Sequence, residues 1–239
     1  MAQATEQPVA PVVVCLPGIR GDARIFEPLT AVTGGRSFVA LDLPPGAPAL
    51  AAARLVPHLP SGPLHLVTGS FGGLVARFLP QARIASLACI GTLPSPDHLD
   101  PAMVRRARLL LPLPDRALER LYARHSRRSL QHEGLPDALI HRLVSRPIPA
   151  AVLRARLRSV LSGYHGQVPP VPVAWIHGVR DVQAHWSPSE LRQAVGNVHL
   201  MEVPGGHFPH ATHPTPLWSS LERGWWSTIP SHPSPPKPV

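Results

Sequence analysis

Three side chains in this sequence are of types that can share one proton. They are Ser70 within Thr68-Gly-Ser-Phe-Gly-Gly73, Asp181 closing Ile176-His-Gly-Val-Arg-Asp181, and His207 closing Pro204-Gly-Gly-His207. A serine hydroxyl is a weak nucleophile at neutral pH, so attack on a carbonyl needs an imidazole to take its proton. The imidazole in turn needs an anion that fixes its tautomer and stabilises its protonated form. Ser70 stands where a strand-like run passes at once into a helix-like one. A turn that sharp strains the serine backbone and holds Oγ out above the sheet. Small neighbours at positions 68 and 72 let strand and helix approach, although Thr68 is bulkier than glycine. The helix N-terminus adds a partial positive charge where an oxyanion would develop.

The elements that must position these groups alternate. Val12 to Leu16, Ser37 to Leu41, Leu64 to Thr68 and Ile84 to Ile90 are short apolar runs of the kind that form doubly buried parallel strands. Between them, Ala49 to Val56 and Phe71 to Leu79 read as helices. The alternation stops from about Pro101 to Gln167, where the chain is helical in character, rich in Arg and Leu, and broken by prolines. It resumes with strands at Val171 to His177 and Val198 to Val203 and helices near Pro188 to Val195 and Pro214 to Trp226. This order predicts an α/β core from residues 1–100 and 168–227, a helical insertion at 101–167, and a Pro-rich disordered tail at 228–239. No internal repeat is visible.

Composition narrows the class. At 239 residues the chain can bury one sizeable core. No apolar run approaches the roughly 18 to 20 residues that cross a bilayer. The N-terminus lacks the basic flank and long apolar core of a signal peptide, so export is not indicated. Cys15 and Cys89 fall in strand-like runs and read as buried free thiols, which fits a cytoplasmic protein. The formal net charge is +9, yet lysine occurs only at Lys237. The arginines lack aromatic interleaving and no nucleic-acid motif is present, which argues against nucleic acid as a partner. Histidines are frequent, but no set has convincing metal-ligand spacing, and no cofactor is called for.

The serine turn, the aspartate past a late strand and the histidine in a Gly-rich loop, in the order Ser, Asp, His, resemble the α/β-hydrolase superfamily over roughly residues 12 to 226. With its helical lid, the layout is similar to small carboxylesterases and thioesterases, including pimeloyl-carrier-protein methyl ester esterases. The resemblance implies Ser70 as nucleophile, His207 as general base and Asp181 as the acid orienting it. It also implies an oxyanion hole from the backbone N–H groups of Ile19, in Leu16-Pro-Gly-Ile-Arg-Gly-Asp22, and Phe71. Many relatives have His-Gly where this chain has Pro17-Gly18, a departure that affects support of the loop more than the donor. Asp97, after the fourth strand, stands where some members place an alternative acid. His210, His213 and His177 compete with His207; the first two read as loop or surface residues, and His177 as a locally bonded strand end. Little room precedes Val12 for an opening hairpin, so the expected sheet is reduced, mostly parallel and of about six strands, with helices on both faces.

On the same resemblance the reaction is hydrolysis of a carboxylic ester or thioester through an acyl-enzyme. Acyl transfer or carbon-carbon bond hydrolysis would use the same triad, and a non-catalytic hydrolase-fold binding protein remains a different class of reading. Most of the excess charge lies on the lid, at Arg105, Arg106, Arg108, Arg116, Arg120, Arg124, Arg127, Arg128, Arg142, Arg146, Arg154, Arg156 and Arg158. One reading makes these solvated helix faces; another has them steer an acidic acyl carrier protein or an anionic acyl substrate to the site. Leu109 to Leu111, Leu113, Leu118 and Leu121 would line an acyl pocket or form the core of the lid. Trp175, Trp218, Trp225 and Trp226 read as packing residues.

Overall fold

A computed structural model of the chain describes residues 11–93, 99–162, 170–183, 187–196 and 198–229. Six parallel strands form one sheet: β1 (Val12–Leu16), β2 (Phe38–Ala40), β3 (Leu64–Gly69), β4 (Ile84–Ile90), β5 (Val173–Gly178) and β6 (His199–Val203). Their spatial order is β2-β1-β3-β4-β5-β6. Strand neighbours therefore change direction of progression between β1 and β3. The crevice beyond the strand ends at such a switch point is where open α/β sheets bind ligands. Ile19 follows β1 and Ser70 follows β3, so both lie at this crevice.

Side chains alternate across the sheet with the period of two that a strand imposes. Val13, Cys15, Val67, Ala88, Ile90, Ala174 and Ile176 face one apolar cluster. Val14, Leu16, Leu66, Leu87, Cys89, Val173 and Trp175 face the other. Helices α1 (Glu27–Thr30), α9 (Pro209–Thr212) and α10 (Pro214–Ser219) contribute to the first cluster. Helices α2 (Pro48–Leu55), α3 (Phe71–Ala76) and α8 (Pro188–Val195) cover the second. Cys15 and Cys89 are buried and free, on β1 and β4 with β3 between them.

Local chemistry explains where the elements depart from expectation. Strand β5 begins at Val173, because Pro172 has no N–H for a ladder; its carbonyl still accepts from Leu87 N at 3.0 Å. Helix α3 ends at Ala76, short of Leu79. There Phe78 N and Leu79 N bond the carbonyls of Val75 and Ala76, the tighter i to i−3 pattern that closes many helices. The final helix passes after Ser219 into a π-helical stretch, Ser220–Trp225, which keeps Trp218, Leu221 and Trp225 all buried. The helical turns of Ala23–Phe26 and α1 follow β1 in a segment too short to show a sustained period, and bury Ile25, Phe26 and Leu29.

Between β4 and β5 lie α4 (Pro101–Leu110), α5 (Asp115–His132), α6 (Asp137–Ser145) and α7 (Ala150–Ser162). Leu118 and Tyr122 of α5 pack on Ala150, Leu153 and Leu157 of α7 in a small separate cluster. Leu130 of α5 and Leu139, Ile140 and Leu143 of α6 instead join the main cluster beside Ile25 and Phe26. The insertion thus has a core of its own and one flank continuous with the sheet domain. Among the described residues, no helix is long and apolar enough to cross a membrane. Residues 230–239 of the expected tail lie outside the described residues.

Candidate active site

Ser70 joins β3 to α3 with φ 47° and ψ −112°, and among the described residues it is the one non-glycine with positive φ. A backbone in that region costs about 1–3 kcal/mol and persists only when its surroundings over-determine it. Here Ser70 N donates to Ile90 O at 2.7 Å and Thr92 Oγ1 donates to Ser70 O at 3.1 Å. Trp175 Nε1 donates in turn to Thr92 O at 3.0 Å, so a strand tryptophan that reads as packing also braces the turn. The helix must pass very close to its neighbours. A Cβ on Gly72 would meet Leu16 O at 2.3 Å, and one on Gly73 would meet Thr92 Oγ1 at 2.5 Å. Thr68, the bulky deviation from the pattern, is wholly buried and satisfied by a bond from its Oγ1 to Ala88 O at 3.1 Å. Phe71 opens α3, so its N–H belongs to the unbonded first turn.

Asp181 and His207 come together as the sequence order predicts. The β5 end and the β6 loop are joined by Val179 N to Val203 O at 3.0 Å and Arg180 N to Gly205 O at 2.8 Å. Gly178 is required there, since a Cβ would stand 2.0 Å from Gly206 O. His207 Nδ1 lies 2.9 Å from Asp181 Oδ2, while Asp181 Oδ1 accepts the Gln183 N–H at 2.8 Å. The carboxylate is therefore held on both oxygens. Burial alone would lower the His207 pKa, but the charge and hydrogen bond of Asp181, with Glu133 adding, raise it overall. With Nδ1 directed at a carboxylate, Nε2 is the nitrogen left for another partner. The ring sits over the end of β4: a Cβ on Gly91 would lie 2.9 Å from His207 Cε1. Gly91 directly follows Ile90, whose carbonyl accepts from Ser70 N.

Ser70, Phe71, Ile19 and His207 all line one cavity of about 760 Å³, with Asp181 buried behind the histidine. The β1 loop comes close to the serine, the nearest atom to a Cβ on Gly18 being Ser70 Cβ at 3.5 Å. Gly21, with φ 72°, closes that loop by donating to Gly18 O at 2.8 Å. Leu109, Leu110, Leu113 and Leu121 line the cavity, whereas Leu118 is lid core, which divides the lid leucines between the two readings. Arg106, Arg124 and Arg128 stand on the same wall and are exposed.

Two sequence readings need correction. His210 is a buried residue, 2% exposed, its ring stacked on Phe26 at 4.5 Å and edge-on to Phe208. Burial first, and the neighbouring His207 second, push its pKa down to about 3, so it is a neutral packing ring. Arg156 is not on a solvated helix face: it is 2% exposed and bonds the carbonyls of Ile19, Leu43 and Pro44. Sequence reasoning missed it because Arg154, Arg156 and Arg158 alternate along α7 without a distinguishing pattern. His177 is half-buried on β5, and His213 half-buried after α9. Asp97, the alternative acid, lies outside the described residues.

No protein-family model matches the sequence, and no curated protein matches it. Solved structures do match across nearly the whole chain. A thermophilic esterase from Thermogutta terrifontis superposes with a TM-score of 0.71 at 19% identity, covering 93% of this chain and 91% of that one. The thioesterase domain from the curacin biosynthetic pathway gives 0.64 at 19% identity, covering 91% and 93%. The type II thioesterase BorB from the borrelidin biosynthetic cluster gives 0.60 at 18% identity, covering 91% and 93%. At these identities the likeness concerns architecture, and it agrees with the parallel six-stranded sheet and the turn at Ser70: this chain has the α/β-hydrolase fold.

Proposed function

We propose that the protein is a serine hydrolase that cleaves a carboxylic ester or thioester through an acyl-enzyme. Ser70 is the nucleophile, His207 the general base, and Asp181 the carboxylate that orients the imidazole. The observation that carries the reading is the His207–Asp181 bond of 2.9 Å, with His207 lining the same cavity as a strained Ser70. His207 Nε2 takes the Ser70 proton as Oγ attacks the acyl carbonyl. The oxygen that becomes negative is met by the N–H groups of Phe71 and Ile19. Collapse expels the alcohol or thiol, protonated by the imidazolium. Water, activated by the same imidazole, then releases the acid and restores Ser70. The esterase and thioesterases among the structural neighbours agree with this choice of chemistry.

The apolar wall of Leu109, Leu110, Leu113 and Leu121 suits an acyl chain, and the exposed arginines of α4 and α5 suit an acidic acyl carrier protein delivering it. Labelling with a fluorophosphonate tests the nucleophile. Wild type is expected to label and Ser70→Ala to remain unlabelled; an unlabelled wild type with intact fold would refute the assignment. Assays with p-nitrophenyl esters and acyl thioesters of graded length then define the acyl group.

A further inference from the structure

Among the described residues Arg156 is the largest buried charged side chain, and it is bonded to the loop that the proposed mechanism uses. From α7, its Nη1 donates to Ile19 O at 2.7 Å, and its Nη2 to Leu43 O at 3.0 Å and Pro44 O at 2.9 Å. Its guanidinium carbon stands 5.6 Å from the centre of the Phe71 ring. One side chain thus touches both residues whose N–H groups are assigned to the oxyanion hole. Gly21 makes room for it, since a Cβ there would lie 2.5 Å from Arg156 Nη1. The loop answers in kind. Arg20 Nη2 donates to Leu143 O at 2.6 Å and Arg146 O at 3.0 Å, at the end of α6.

A buried guanidinium is expensive for stability. Among the described residues no carboxylate is paired with Arg156, and burial lowers its pKa to about 10. Even buried ion pairs are often replaced by apolar residues of similar volume at no cost to the fold. What an apolar side chain cannot do is hold three carbonyls of two separate loops at fixed positions. Bonding the Ile19 carbonyl fixes the peptide plane that follows Ile19 and so restrains the plane on its other side, which carries the N–H. An oxyanion donor is useful only when its direction is set before the charge develops.

We infer that Arg156 is a positioning residue: it ties α7 to the loop after β1 and holds the Ile19 and Phe71 N–H groups in register for the oxyanion. It faces a second cavity of about 110 Å³, shared with Gly21, Leu43 and Arg146, and acts without contacting substrate. The inference rests on the hydrolase reading and deepens it.

The test uses the full chain with Arg156→Met, Arg156→Lys and Arg156→Ala, a soluble p-nitrophenyl ester, and a trifluoromethyl ketone whose hemiketal oxygen occupies the oxyanion hole. Arg156→Met is expected to lower kcat by about 10- to 100-fold, approaching the loss seen when one oxyanion donor is removed, with KM within about twofold. Ketone affinity should fall in parallel with kcat/KM. Arg156→Lys, whose ammonium cannot span both loops, should recover only part of kcat. Added guanidinium should restore activity to Arg156→Ala. Unchanged kcat in a folded Arg156→Met or Arg156→Lys variant, or ketone affinity that does not follow kcat/KM, would overturn the inference. Fluorophosphonate labelling of wild type separates the two readings. No label at Ser70 sinks the hydrolase assignment, whereas a labelled wild type with equally fast labelling of Arg156→Met sinks only the role of Arg156.

Discussion

Gly72 passes so close beneath the first strand that a Cβ on it would stand 2.3 Å from the carbonyl oxygen of Leu16. The next nearest atoms are the Pro17 carbonyl oxygen, at 2.7 Å, and the Leu16 carbonyl carbon, at 2.9 Å. All three are backbone, which cannot swing aside as a side chain would. The contact ties the helix behind Ser70 to the strand that launches the Ile19 loop.

Gly72→Ala is therefore expected to destabilise the protein by roughly 3 kcal/mol, the upper range for forcing a methyl group into packed space. Activity should fall further than stability explains, because relief of the clash pushes the Ile19 loop away from Ser70. Urea denaturation alongside ester hydrolysis checks this; a variant with wild-type stability would contradict the tight approach.

Ser70→Gly and Ser70→Ala should both lose ester hydrolysis, yet differ in stability. Glycine occupies φ 47° without strain while alanine retains it. The glycine variant should be the more stable of the two by about 1 kcal/mol, read as a higher denaturation midpoint.

Asp181→Asn removes the group that raises the His207 pKa and sets its tautomer. A fall in kcat of roughly 10³- to 10⁴-fold is expected. In wild type the acid limb of kcat/KM should lie above the ordinary imidazole value of 6.5, and in Asp181→Asn it should move to lower pH. Because the folded value is raised, the pairing adds stability that is full below pH 6.5 and is lost as pH rises through the folded pKa. An acid limb unmoved in the variant would remove His207 from the role of base.

His210, and His65 buried on β3 with its ring stacked on Trp226, act in the opposite sense. Burial lowers them to about 3 and about 4, below the unfolded value of 6.5. The unfolded chain therefore takes up protons first as the medium is acidified. Their contribution is intact above about pH 6.5 and is lost progressively as pH falls toward 4 and 3. His210 Nδ1 has no hydrogen-bond partner, so His210→Phe strands no polar group there. The variant should lose less stability than wild type between pH 6.5 and pH 4, by a margin of roughly 1–3 kcal/mol. Parallel acid titrations of the two proteins would show it.

Arg105 and Arg108 are exposed on α4 and away from the cavity wall. If an acidic carrier docks there, Arg105→Glu with Arg108→Glu should raise KM for a carrier-bound ester by about tenfold, and added salt should do the same to wild type. Hydrolysis of a small neutral ester should be unchanged. A carrier-bound substrate insensitive to both changes rules out that docking face.

Ser70, Asp181 and His207 stood out as candidates in the linear chain because each is announced by its immediate neighbours. Glycines flank a serine at a strand-to-helix junction, an aspartate stands just past a largely apolar strand, and a histidine follows paired glycines. The strands were equally plain, since burial between helical layers favours largely apolar runs such as Val12–Leu16 and Ile84–Ile90, the latter interrupted by Ser86. Arg156 was not legible: its acceptor Ile19 lies 137 residues away in sequence. Arg154 and Arg158, two positions to either side, look the same on paper but stand half-buried and exposed. His210 was hidden for the same reason, its buried position being set by the Phe26 ring contributed from the far end of the chain. Local sequence specifies turns and periodicity because neighbouring residues share one backbone path. Which arginine turns inward depends on where distant carbonyls come to rest, and that is known only once helices and loops have packed.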